Sequence, residues 1–90
     1  TAGELNGGKY VAGTGTINDD GDVGPIGGIE HKIRGARDDG AELFLAPEGN
    51  CPTVKRTDAG EMTVASVANL DQAIDAMEAF AAGQPVRGCE

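Results

Sequence analysis

Hydrophobic residues fall at helical spacing in two stretches of this chain. Near the end, Leu70, Ala73, Ile74, Met77, Phe80 and Ala81 form one stripe. Asn69 precedes it as an N-cap, Asp71 suits the positive end of the helix dipole, and Gly83 with Pro85 closes it. A second helix is predicted over Ile29 to Asp38, with Ile29, Ile33 and Ala36 on its stripe and Asp39-Gly40 as its stop. Two apolar runs are too short for helices. Glu42 to Ala46, ended by Pro47, reads as a buried strand, and Met62 to Ala68, rich in β-branched residues, as another. Earlier, Tyr10 to Ile17 has strand character, and the turn cluster Asn18-Asp19-Asp20-Gly21 leads into Asp22 to Ile26, which predicts a β-hairpin. Gly27-Gly28 then breaks the chain before the helix. Thr1 to Lys9 reads as an entering loop, and Glu48 to Gly60 as a loop with at most one helical turn around Thr53 to Arg56. The order hairpin, helix, strand, loop, strand, helix predicts one mixed α/β (α+β) domain in two layers.

Composition narrows what such a domain can do. Its one Tyr, two Phe and no Trp leave the core to aliphatic residues, while fifteen glycines are costly to order. A chain of 90 residues buries a small share of its surface, so a disulfide, a partner chain or a further segment is expected to help. The net charge of −8, with seven scattered basic residues, argues against nucleic acid as a partner. No apolar run approaches the ~20 residues of a membrane span, and Thr1 to Tyr10 lacks the regions of a signal peptide. Cys51 and Cys89 lack the close spacing of a zinc or redox motif, and with His31 as the only histidine no metal site is expected. They read either as two free thiols or as one disulfide fastening the tail to the Gly-Asn-Cys-Pro loop.

The chemistry of interest is at Lys32. Positions 29, 32, 33 and 36 share a helix face, so Lys32 is expected beside the apolar stripe with its ammonium partly desolvated. Burial disfavours a charged amine, which is how a lysine becomes a usable general base near neutral pH. A lysine beside an apolar stripe more often snorkels its head into water, so spacing alone does not assign the role. Thr1 invites comparison with self-activating N-terminal threonine hydrolases, but the glycine-rich start reads more simply as a cut end.

Three segments carry a more specific signal. Val11-Ala12-Gly13-Thr14-Gly15-Thr16-Ile17, then Pro25-Ile26-Gly27-Gly28-Ile29-Glu30-His31-Lys32, then Leu43-Phe44-Leu45-Ala46-Pro47 together resemble the second half of the proteolytic domain of Lon-type proteases. Similarity extends over about residues 4 to 80, so residues 1–90 are expected to be the C-terminal half of such a domain. The resemblance implies a serine endopeptidase with a Ser/Lys dyad and no metal or organic cofactor. It implies an unfolded or flexible peptide as substrate, and assembly of such domains into homo-oligomeric rings is common in the family. Lys32 falls on the position of the family's catalytic lysine, after Gly-Gly, an aliphatic residue and two polar ones. Thr14 matches the threonine whose hydroxyl helps hold the lysine amine, and Gly27 and Gly28 match glycines that turn the chain sharply into the helix.

Thr16 departs from the pattern, since ATP-dependent members usually carry glutamate there. The departure makes the chain most similar to secreted or membrane-tethered Lon-like proteins that pair this domain with a PDZ module. Such a parent is extracytoplasmic, and an oxidising compartment favours the Cys51–Cys89 disulfide. The family's nucleophile sits in a Gly-Pro-Ser-Ala-Gly type motif upstream, and the only serine here, Ser66 in Val64-Ala65-Ser66-Val67, has no flanking glycines to form an oxyanion turn. The resemblance therefore implies an upstream segment carrying the serine, without which the chain is inactive. The alternative from another class is a non-catalytic scaffold or interaction module derived from such a domain.

Overall fold

The computed structural model describes residues 10–89. Its central sheet is parallel, with β1 (Val11–Gly13), β4 (Leu43–Pro47) and β5 (Thr63–Val67) in the order β1-β4-β5. Val11 registers with Leu43 and Leu43 with Thr63. β2 (Thr16–Ile17) and β3 (Val23–Gly24) form a separate antiparallel pair. Helices α1 (Ile29–Asp38), α2 (Cys51–Val54) and α3 (Leu70–Ala81) complete the domain.

Tyr10 to Ile17 is therefore not one strand. Gly15, at φ 143°, breaks it where its backbone passes Val23 and Pro47, and the two pieces join different sheets. Only β2 belongs to the hairpin. Its turn is held by the Asn18 side chain, which accepts from the amides of Asp20 and Asp22, and is tied to the β5–α3 connection through Val23 N–H to Ala68 O at 2.8 Å.

The expected loop after Pro47 is also more ordered than its composition suggested. A 3-10 turn over Glu48–Asn50 runs directly into α2, whose second residue is Pro52. Buried Asn50 fixes this segment by accepting from Ile26 N–H at 2.9 Å and donating to Ile26 O at 2.8 Å. That tertiary pair satisfies backbone groups for which local sequence offers no partner.

The core forms where α1 and α2 meet the sheet. Ile29 and Ile33 pack with Phe44, Ala46, Val54 and Met62. α3 contacts β4 and β5 but contributes no residue to that cluster, and pleating turns Leu43, Ala65 and Val67 to its side. The sheet thus carries helices on both faces, in place of the two layers expected. The near-continuous burial of Leu-Phe-Leu-Ala-Pro in β4 has the same cause, because a parallel strand covered on both faces does not alternate. The Asn69 cap is formed, its side chain accepting from Gln72 N–H at 2.9 Å. Among the described residues no helix is long and apolar enough to cross a membrane.

Candidate active site

Gly28 sets where α1 begins. At φ 71°, ψ 24° it occupies the left-handed region, and its carbonyl accepts from the amides of His31 and Lys32. Residues with a Cβ avoid that conformation. Gly27 has no positive φ, and a Cβ added to it would meet nothing within 4 Å, so the local backbone does not require glycine there.

Ile29 and Ile33 anchor α1 to the sheet at 1% and 0% exposure, which fixes the azimuth of Lys32. Lys32 is exposed rather than partly desolvated. The i, i+3 spacing from Ile29 carries it to the margin of the apolar stripe, where nothing in the described chain covers it. With Gly35 and Ala36 it forms one wall of a groove of about 510 Å³, whose other side comprises Ala12 and Gly13 of β1, Phe44 of β4, and Tyr10. Among the described residues the Lys32 side chain makes no hydrogen bond and no ion pair.

Thr14 follows the groove-lining end of β1. Its amide donates to Leu45 O at 3.3 Å, and no hydrogen bond joins its hydroxyl to Lys32. The structure thus brings Lys32 alongside Ala12 and Gly13, while Thr14 lies just beyond the groove wall. Ser66 is 6% exposed in β5 and lines other cavities, away from the Lys32 groove. The Ser66 hydroxyl and Cys51 Sγ lie 3.5 Å apart, and since a disulfide sulfur carries no hydrogen the hydroxyl is the donor. Cys51 is bonded to Cys89.

Two features of the groove escaped sequence reading. Tyr10 closes one end by donating its hydroxyl to Asp39 Oδ2 at 2.6 Å. Donation to a carboxylate, together with that negative charge, raises the Tyr10 pKa above its usual 10.0. Gly35 sits inside a ten-residue helix with nothing within 4 Å of an added Cβ. Glycine within a helix is costly, and that cost was the signal in the sequence that could have marked Gly35.

A family model for the Lon protease (S16) C-terminal proteolytic domain matches residues 4–79. The chain belongs to this family. No curated protein and no solved structure matches it. The match covers most of the 90 residues, including α1, the groove and all three strands of the parallel sheet. Family membership makes the domain part of a serine protease family whose substrates are peptides.

Proposed function

We propose that this chain is the base-bearing part of a Ser/Lys endopeptidase, with Lys32 as general base and then general acid. In such a dyad a neutral amine takes the serine proton as the oxygen attacks the scissile carbonyl. It returns that proton to the leaving amine as the acyl-enzyme forms, and water then releases the acyl group. Supporting the reading is the setting of Lys32: a family-position lysine, held on a fixed helix, exposed on a groove wall and without a protein partner among the described residues.

The serine comes from an upstream segment that packs across the groove. Such packing removes water from around the ammonium and favours the neutral amine that general-base work requires. Thr14, one residue past the groove wall, orients the amine in the assembled site, and Gly28 holds the helix in register. The Cys51–Cys89 disulfide supports an extracytoplasmic parent, since disulfides persist in oxidising compartments. Thr16 supports the Lon-like, ATP-independent branch whose members carry a PDZ module.

Lys32→Gln and Lys32→Met in the full-length parent test the assignment. Both are expected to abolish peptide hydrolysis while leaving the circular-dichroism spectrum and melting temperature close to wild type, because Lys32 contributes no buried contact. Normal turnover in either variant would eliminate the dyad role.

A further inference from the structure

We infer that the Cys51–Cys89 disulfide is a redox-sensitive strap: it holds the 84–89 tail on the free edge of β5, and its reduction releases the tail and uncovers that edge. β5 ends the order β1-β4-β5, so one side of its backbone has no strand partner. The tail occupies that side. Ser66 N–H donates to Arg87 O at 2.8 Å, and the tail backbone runs so close that a Cβ on Gly88 would lie 3.3 Å from Val64 O. Cys89 packs against the main core cluster.

The non-covalent hold is slight. Gln84 N–H donates to Ala79 O at 2.8 Å, which ties only the start of the tail to the end of α3. Beyond it, besides the Arg87 backbone bond and the packing of Cys89 itself, the hold includes one ion pair, Arg87 to Glu48 at 3.2 Å, with both side chains more than half exposed, a kind that contributes little. The disulfide is therefore what keeps the tail in place. A small reductant has a route to the bond, for Cys51 and Cys89, both half-buried, line an open cavity of about 320 Å³ with Ser66, Arg87 and Gly88. A dithiol reductant attacks one sulfur as thiolate, breaking the S–S bond and forming a mixed disulfide. Its second thiolate then displaces the remaining cysteine. Cys51 and Cys89 gain two electrons and two protons as thiols, and the reductant leaves as a disulfide. The uncovered β5 edge then presents unpaired backbone N–H and C=O groups to solvent.

Trypsin reads the strap directly, because the scissile carbonyl of the Arg87–Gly88 bond is the one engaged by Ser66 N–H. Cleavage there is expected to accelerate at least roughly tenfold when the chain is reduced with dithiothreitol, since proteolysis follows the open population. Cleavage after Arg34 in α1 should keep its rate. Mass spectrometry separates the states: the oxidised chain cut at Arg87 retains Gly88-Cys89-Glu90 through the disulfide, and the reduced chain loses it. Amide exchange gives a second reading, in which Ser66 loses protection on reduction and Ala46 in β4 retains it. An unchanged Arg87 rate would overturn the strap. So would parallel acceleration at Arg34 with loss of protection at Ala46, because the disulfide would then be holding the whole domain rather than its tail.

Discussion

Adjacent glycines ahead of α1 have different physical burdens, and alanine at each separates them. Gly28 is held at φ 71° with open space around it, so Gly28→Ala introduces backbone strain and no clash. The left-handed region costs a residue with a Cβ about 1–2 kcal/mol. Gly27→Ala meets neither a positive φ nor a neighbour within 4 Å. Replacing glycine by alanine also narrows the unfolded ensemble, which stabilises by about 0.4–1 kcal/mol at a compatible site. That contribution is common to both variants and cancels in their difference. Gly27→Ala should therefore equal or exceed wild-type stability, with Gly28→Ala below it by about 1–2 kcal/mol. For a chain of this size the gap is roughly 5–10 °C in melting temperature. Thermal and urea unfolding followed by circular dichroism measure it, with the disulfide intact in all samples. Equal stabilities, or Gly27→Ala as the weaker variant, would refute the reasoning, since the helix start would then not depend on the left-handed conformation at Gly28.

Other consequences are equally specific. Ile33→Ala, at a fully buried position in the main cluster, should destabilise the domain by about 2–5 kcal/mol in denaturant unfolding. Gly35→Ala should stabilise α1 by about 1 kcal/mol, yet lower peptide hydrolysis in the full-length parent because it narrows the groove beside Lys32; a gain in stability with undiminished turnover would show that the groove does not admit a close-packed segment. Tyr10, the only tyrosine in a chain without tryptophan, should ionise above 10.0 by phenolate absorbance and move down in Asp39→Asn. Because its folded-state pKa is raised above the unfolded value, this hydrogen bond's stabilisation is present below pH 10.0 and is lost as pH rises through the folded pKa.

Elements with strong local signals matched the structure closely. α1 spans Ile29–Asp38 and α3 spans Leu70–Ala81, because their stripes, the Asn69 cap and the Asp39-Gly40 stop all lie within the segments themselves. β4 and β5 appeared within a residue of their expected limits at each end. What local reading missed was set by contacts distant in sequence. The break between β1 and β2 depends on Gly15 passing Val23 and Pro47, and the helical order of Glu48–Val54 depends on Asn50 gripping Ile26 across 24 residues. Likewise, periodicity placed Lys32 beside the stripe but not its exposure, which depends on what lies across the groove rather than on α1. Thr1 to Lys9, expected as an entering loop, and the N-terminal Thr1 itself lie outside the described residues.

The most direct test of Lys32 as the peptidase base is reconstitution. This chain is mixed with the upstream segment of the same parent, then assayed on an unstructured peptide and probed with a serine-directed fluorophosphonate. Turnover and labelling by the wild-type mixture, both lost with Lys32→Met while the complex still forms, is the predicted result. A well-formed wild-type complex with neither, or a Lys32→Met complex that still turns over, would contradict the account.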